Sequence, residues 1–93
     1  MRVLVTGSLG HLGQRVSGLL EQQGHRVVGF DLRTEPENDI VTQAERLIEM
    51  AAGCEAFIHL AGIPHPGAGG MPAYFRTNAI GTQNTLEAAL AVG

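Results

Sequence analysis

A glycine-rich stretch, TGSLGHLG at residues 6–13, constrains the fold of this chain more than any other part of its sequence. It follows a short apolar run, Val3 to Val5, that is typical of a buried strand, and it leads into an amphipathic segment that starts at Leu12 and stops at Gly24. A glycine-rich turn between a buried strand and a helix brings backbone amides and the positive end of the helix dipole to one point. The pattern therefore predicts a strand, an anion-binding turn and a helix in that order.

Apolar periodicity predicts further alternation of strands and helices along the chain. Strands are expected at residues 3–5, 26–30, 56–60 and, very short, 38–41, and helices at 12–23, 42–52 and 72–92. Thr42 and Glu45 have the spacing of a capping box, and Pro72 suits a first helical turn. The expected buried helix faces consist of Leu12, Val16, Leu19 and Leu20, of Ala44, Leu47, Ile48 and Ala51, and of Phe75, Ala79, Leu86 and Leu90. Since crossovers between neighbouring strands are right-handed, we expect an α/β fold of the Rossmann type, with three layers and a parallel sheet, incomplete at about four strands and three helices.

Asp31 is the expected partner of the glycine-rich turn. It ends the second predicted strand eighteen residues after Gly13, close to the spacing of about 20 residues for a carboxylate that holds an adenosine ribose. A carboxylate there also repels the 2′-phosphate of NADP, so NAD is the preferred cofactor and NADP the less favoured one. Arg33 could instead meet a phosphate, stack on adenine, or be a solvated surface residue.

Three motifs resemble the extended short-chain dehydrogenase/reductase family, the NAD-dependent epimerases and dehydratases of sugars and related substrates. They are TGxxGxxG, the segment FIHLAG at residues 57–62, and NAIGTQNTLEAA at residues 78–89. The resemblance implies that the HLAG backbone lies along the cofactor and that Asp39 and Ile40 contact adenine. The candidate cofactor-binding residues from motif and resemblance together are Gly7, Gly10, His11, Leu12, Gly13, Asp31, Leu32, Arg33, Asp39, Ile40, Leu60, Ala61, Gly62 and Asn78.

The catalytic pair of the resembled family, YxxxK, has no match in this chain. The one tyrosine, Tyr74, is followed four positions later by Asn78, and the chain contains no lysine. A tyrosine of ordinary pKa is a poor base at neutral pH, so no catalytic residue is assigned and Tyr74 is interpreted as a packing residue. We therefore expect residues 1–93 to be the N-terminal part of an NAD(P)-binding domain that lacks the catalytic and substrate-binding part and is inactive alone.

The histidines and the cysteine give little further chemistry. His11 lies in the glycine-rich turn, where its backbone amide is the expected functional group, and His59 is interpreted as a satisfied core histidine. His65, between two prolines in the predicted loop at 61–71, is the only candidate for substrate contact. Cys54 is interpreted as a packing residue, and the histidine spacings predict no metal site.

Composition excludes several classes of partner. The formal net charge is −3 and the six arginines are scattered singly, so nucleic acid is not an expected partner. The chain shows neither a signal-peptide pattern nor a long apolar run, which predicts a cytoplasmic protein without a membrane span. An unpaired edge at the strand of residues 56–60 and an apolar last helix predict self-association.

Three functions fit these observations. The first is the cofactor-binding part of an NAD-dependent sugar or nucleotide-sugar epimerase, dehydratase or dehydrogenase, which would meet a small-molecule substrate only when completed by a C-terminal part. The second is a non-catalytic dinucleotide sensor or partner subunit. The third is a remnant that binds no dinucleotide and retains inherited glycines.

Overall fold

The computed structural model describes residues 1–62 and 70–93, and a parallel sheet forms its centre. The strands are β1 (Arg2–Thr6), β2 (Arg26–Phe30) and β3 (Ala56–His59), in the spatial order β2-β1-β3. The helices are α1 (His11–Gln22), α2 (Ala44–Ala51), α3 (Gly70–Phe75) and α4 (Gly81–Val92), with a π-helical segment, Arg76–Ile80, between the last two. The predicted parallel sheet of a Rossmann-type fold is confirmed.

Helices cover both faces of the sheet, because both sets of alternating side chains on β1 are apolar. Leu4 is fully buried and lies in register with Val28 and Phe57, on the face that packs against Leu47 of α2 and Ala88 of α4. The side chains that alternate with Leu4 point to the opposite face, where α1 packs against β1 and β2, and they are equally buried. The core therefore lies between the sheet and the helices on its two faces.

Helix α1 packs through a small residue instead of the expected leucines. Gly13 is buried, whereas Leu12 and Leu19 are exposed, so this part of the predicted apolar face is wrong. Val16 and Leu20, the other two residues of the predicted face, are half-buried. The helix stops where expected, because Gly24 adopts a φ of 85° that favours glycine.

Residues 38–41 do not form the short strand that the sequence predicts. Oδ1 of Asp39 accepts hydrogen bonds from the amides of Val41 at 2.9 Å and Thr42 at 3.3 Å, which folds this segment into a turn.

The same turn removes Thr42 from the start of helix α2, so the predicted capping box with Glu45 is wrong. Gln43 precedes α2, and no side-chain hydrogen bond caps that helix. The predicted inner face of α2 is confirmed, with Leu47 and Ala51 fully buried.

The last helical run starts two residues earlier than predicted and buries a different face. Small residues, Gly81, Thr85 and Ala88, face the interior. Four residues that were expected to be buried are exposed: Phe75, Ala79, Leu86 and Leu90. Because Phe75 is exposed before the π-helical segment and Leu86 after it, the predicted apolar face is wrong along the whole run.

Candidate functional site

The carboxyl ends of the three strands meet at one edge of the sheet and line two adjoining cavities. Gly7 follows β1, Asp31 follows β2 and Leu60 follows β3. The first, here called the Asp31 cavity, has a volume of about 410 Å³, and the second, the glycine-loop cavity, about 510 Å³. Gly7, Leu60 and Gly62 line both. An elongated ligand could therefore lie across the strand ends, which is where open parallel sheets bind their ligands.

The three glycines of the turn are required for different reasons. Gly7 has a φ of 69°, and a Cβ on it would lie 2.7 Å from the amide nitrogen of Ala61. A Cβ on Gly13 would overlap the carbonyl oxygen of Gly7, so the packing of the chain itself requires both glycines. A Cβ on Gly10 would instead make only an ordinary contact, 3.4 Å from the same oxygen. A side chain at residue 10 would therefore fill ligand space without a clash inside the protein.

The first turn of α1 faces the glycine-loop cavity. The amides of His11, Leu12 and Gly13 have no carbonyl one turn earlier within the helix, and α1 has no side-chain hydrogen bond at its N-terminus. All three residues line the cavity. Amides and the helix dipole at this point suit an anionic group such as a pyrophosphate.

Asp31 is buried at the end of β2 and accepts hydrogen bonds from two elements. Its Oδ2 accepts from the amide of Leu9 at 3.0 Å, which fixes the glycine-rich turn to the second strand. Its Oδ1 accepts from the amide of Arg33 at 2.9 Å, and the guanidinium of Arg33 donates to both oxygens at 3.1 Å. Burial acts to raise the pKa of the Asp31 carboxyl, but the hydrogen bonds from Arg33 and Leu9 outweigh it and hold the pKa below its ordinary value. Asp31 is thus a carboxylate at neutral pH.

Thr6, which the sequence-based prediction did not select, connects β1 to the loop after β3. Its hydroxyl oxygen accepts the amides of Leu60 at 3.0 Å and Ala61 at 3.1 Å, and it lies 2.6 Å from Nδ1 of His59. Because both lone pairs of the oxygen are occupied, its proton is donated to His59. Thr6 is the first residue of the TGxxGxxG motif, so its position in the motif was the available signal.

The same network determines the tautomer of His59. Since Nδ1 accepts from Thr6, the proton lies on Nε2, which is 3.2 Å from the hydroxyl oxygen of Thr82. Thr82 in turn donates to the carbonyl oxygen of Asn78 at 2.6 Å, in the π-helical segment. Burial lowers the pKa of His59, which favours this neutral form. His59 is therefore hydrogen-bonded, as predicted, but it is half-buried and lies outside the core cluster.

Asn84 holds the segment around Asp39 against α4. Its Nδ2 donates to the carbonyl oxygens of Ile40 at 2.8 Å and Val41 at 3.1 Å. A Cβ on Gly81 would lie 2.9 Å from Cγ2 of Ile40, so the helix can approach this segment only with glycine there. Asn84 was missed by the sequence-based prediction, although it is the second asparagine of the NxxGTxNxLEAA motif.

The candidate cofactor residues collect around the two cavities. The Asp31 cavity is lined by Gly7, Asp31, Leu32, Asp39, Ile40, Leu60, Ala61 and Gly62. The glycine-loop cavity is lined by Gly7, Gly10, His11, Leu12, Gly13, Leu60, Gly62 and Asn78. Arg33 lies outside both and lines a neighbouring cavity with Gly10, His11 and Arg15.

Other candidate positions add no chemistry that the structure can describe. His65 lies outside the described residues. Within residues 1–62 and 70–93, His, Cys, Asp and Glu form no group of three that could hold a metal ion. Over the same residues, no helix has the length and apolarity needed to cross a membrane. Cys54 packs beside the core, and its thiol lies 3.8 Å from the carbonyl oxygen of Met50.

A parallel sheet whose first strand runs into a glycine-rich turn, with a carboxylate at the end of the next strand, defines the Rossmann class of dinucleotide-binding folds. Within that class, the chain belongs to the NAD dependent epimerase/dehydratase family, whose model matches residues 3–93. Among curated proteins, the chain is 30% identical to a 2-alkyl-3-oxoalkanoate reductase of Stenotrophomonas maltophilia over 102 aligned residues. The alignment covers 100% of this chain and 31% of that protein.

Solved structures of similar proteins have the same fold. A short-chain dehydrogenase/reductase superfamily protein from Agrobacterium tumefaciens with bound NAD superposes with a TM-score of 0.84 at 31% identity, over 100% of this chain and 30% of that one. MoeE5, in complex with UDP-glucose and NAD, gives a TM-score of 0.86 at 29% identity, over 100% and 33%. The chain therefore spans about a third of the length of the proteins that it resembles.

Proposed function

We propose that this chain binds NAD across the two cavities and supplies the cofactor-binding part of an oxidoreductase of the epimerase, dehydratase or dehydrogenase type, acting on a sugar or nucleotide sugar. The pyrophosphate would lie on the amides of His11, Leu12 and Gly13, and the adenosine ribose against Asp31. Adenine would contact the segment of Asp39 and Ile40. The bound NAD of similar structures and the UDP-glucose bound to MoeE5 support this proposal.

The observation that carries the proposal is the difference between Gly10 and the other two glycines of the turn. Gly7 and Gly13 are needed by the protein's own packing, whereas residue 10 could hold a Cβ without a clash. A glycine at this point is explained by a ligand that approaches the backbone closely, and the adjacent first turn of α1 makes that ligand an anion.

NAD is proposed over NADP because Asp31 is an ionised, buried carboxylate at the end of β2. A 2′-phosphate would meet this charge at short range, whereas a ribose with free hydroxyls can donate hydrogen bonds to it. Since the chain spans about a third of its relatives' length, we assign to residues 1–93 only the cofactor-binding share of the activity.

Calorimetric titration of the 93-residue chain with NAD tests the proposal. We expect Asp31→Ala to weaken NAD binding by about tenfold, because charge-assisted hydrogen bonds contribute about 1.5–3 kcal/mol. Gly10→Val should abolish binding by filling ligand space. The control Gly18→Val places a side chain where the structure leaves open space around α1, and it should leave affinity unchanged. Unchanged affinity in both site variants would overturn the proposed site.

A non-catalytic dinucleotide sensor or partner subunit is the second candidate, because the same two cavities would serve a protein that only binds a dinucleotide. This candidate also requires NAD binding but no turnover. Incubating the chain with NAD and UDP-glucose while monitoring NADH fluorescence tests for turnover by residues 1–93 alone, which neither candidate predicts. Oxidation of UDP-glucose with formation of NADH would exclude a purely binding role, whereas failure to bind NAD at all would exclude both candidates.

A further inference from the structure

The carboxylate of Asp31 has no hydrogen-bonding capacity left. A carboxylate offers about four lone-pair positions, and Asp31 uses them for four N–H donors. Two donors are backbone amides, from Leu9 and from Arg33, at 3.0 and 2.9 Å. The other two are Nε and Nη2 of the Arg33 side chain, each at 3.1 Å. A ribose diol that donates two hydrogen bonds to this carboxylate must displace two of these donors.

We propose that the Arg33 side chain is a latch that competes with the cofactor ribose for Asp31 and so sets the affinity of the site. The inference rests on the proposed function, because it concerns how the same site admits NAD. The two amides belong to the backbone of the turn and of the residue that follows Leu32, so they cannot leave without refolding the site. The guanidinium is held by side-chain contacts alone and can rotate away.

Exposure of Arg33 makes this exchange reversible. The Arg33 side chain is 63% exposed, whereas that of Asp31 is 6% exposed. An ion pair with one solvated partner is weak, and its loss is offset by the ribose hydroxyls that take its place. Before the cofactor arrives, the latch adds two donors to the two backbone amides and so completes the hydrogen bonding of the buried carboxylate.

A cavity beside Asp31 can accommodate the guanidinium of Arg33 after its release. Nη2 of Arg33 lies near residue 10, at 3.6 Å from the Cβ position of Gly10, and Arg33 lines a cavity of about 410 Å³ with Gln14 and Arg15. In that cavity it no longer blocks Asp31, and a pyrophosphate bound at the α1 N-terminus would offset the positive end of the helix dipole there. The nearby Arg15 is exposed and makes no ion pair among the described residues, so it is a matched control of equal charge.

Affinity for NAD and for ADP-ribose, measured by calorimetry at low salt, tests the latch. Arg33→Ala should bind both ligands about twofold to fivefold more tightly than wild type, as expected for removal of a weak competing ion pair. Arg15→Ala removes the same charge from the same cavity and should leave affinity unchanged or weaken it. Arg33→Gln, which keeps a polar side chain but loses the charge, should behave as Arg33→Ala. Combining Asp31→Asn with Arg33→Ala should eliminate the gain.

Ionic strength gives a second readout. Salt screens the exposed Arg33–Asp31 pair and thereby opens the latch, while it weakens the attraction of the pyrophosphate to the site. These effects oppose each other in wild type, so its NAD affinity should fall less with added NaCl than that of Arg33→Ala. Parallel salt dependences would contradict the latch.

The outcomes for the latch and for the proposed function are distinct. If wild type binds NAD and Arg33→Ala binds equally or more weakly, the latch is wrong and the proposed function stands. If neither wild type nor Arg33→Ala binds NAD or ADP-ribose, the proposed function is wrong and the latch falls with it. Urea unfolding of each variant at the same pH verifies that a change in affinity does not come from a loss of folded protein.

Discussion

The hydroxyl oxygen of Thr6 lies 2.6 Å from Nδ1 of His59, and this contact fixes the direction of the hydrogen bonds at the carboxyl edge of the sheet. The same oxygen accepts two amides from the loop that lines both cavities. These bonds tie residues 60 and 61 to the end of β1, immediately before the glycine-rich turn. A cofactor would therefore meet a surface that is already formed.

Replacing this hydroxyl should destabilise the fold. Thr6→Val keeps the shape of the side chain but removes the partner of the Ala61 amide and the 2.6 Å contact of Nδ1 of His59, whereas the Leu60 amide keeps its bond to the backbone carbonyl of Thr6. We therefore expect a loss of about 1–3 kcal/mol in the free energy of unfolding. Thr6→Ser keeps the oxygen and should lose about 1 kcal/mol through the missing methyl. Urea denaturation measures both. Equal losses in the two variants would show that packing, and not the hydroxyl, holds the loop.

Stability should also depend on the protonation of His59. Burial lowers its pKa in the folded chain, so between that value and the unfolded pKa of about 6.5 the unfolded chain binds more protons. Its contribution to stability is therefore present above about pH 6.5 and is lost as the pH falls. In His59→Gln, the decline between pH 7.5 and 5.5 should be shallower than in wild type. His11→Gln, at an exposed position, is the control and should keep the wild-type slope.

Two helical glycines should respond in opposite ways to alanine. Around Gly18 a Cβ meets nothing within 4 Å, so Gly18→Ala should stabilise the chain by about 1 kcal/mol through helix propensity. At Gly81 the new Cβ would lie 2.9 Å from the buried, branched side chain of Ile40. Gly81→Ala should therefore destabilise by about 1 kcal/mol, because overpacking outweighs the propensity gain. Thermal unfolding measures both changes. A stabilised Gly81→Ala would contradict the prediction, because it would mean that the Ile40 side chain can shift to accommodate the added methyl group.

The exposed side of α4 should promote association of the chain. Leu86 is 62% exposed and Leu90 is 82% exposed, one helical turn apart on the same face. We expect wild type to sediment as a dimer or larger species at micromolar concentrations, and Leu86→Gln combined with Leu90→Gln to shift it toward monomer. Leu12→Gln, which changes an exposed leucine on α1, should not. A monomeric wild type would contradict the prediction.

The features that could be predicted from the sequence depend on short-range constraints. The glycines at 7, 10 and 13 and the carboxylate at 31 lie at fixed distances along the chain from the ends of β1 and β2, so spacing alone places them at one edge of the sheet. The parallel order follows because each crossover has a preferred handedness. The spacing therefore grouped these glycines with Asp31, whereas Asp39, Ile40 and the HLAG segment were selected through the family resemblance.

The features that could not be predicted depend on contacts distant in sequence. Residues 38–41 have a strand-like pattern, but the Asp39 side chain bonds the amides of the segment, and Asn84 binds its carbonyls from α4. The buried face of α4 was misassigned because its small residues, and not its leucines, face the interior, where Gly81 approaches Ile40 closely. The bond between Arg33 and Asp31 could be expected from their charges, but its saturation of the carboxylate could not.

The π-helical segment Arg76–Ile80 constrains the length of the chain as well as its shape. One residue corresponds to about 100° of rotation in a helix. Deleting a single residue such as Ala79 would restore a regular helix, but it would turn either Asn78 away from Gly62 or Gly81 away from Ile40. Either rotation would break one of two close approaches, that of Asn78 to Gly62 or that of Gly81 to Ile40. This helix can thus tolerate substitutions at its exposed positions, whereas a deletion within it would disturb either the end that lines the glycine-loop cavity or the end that packs on the core.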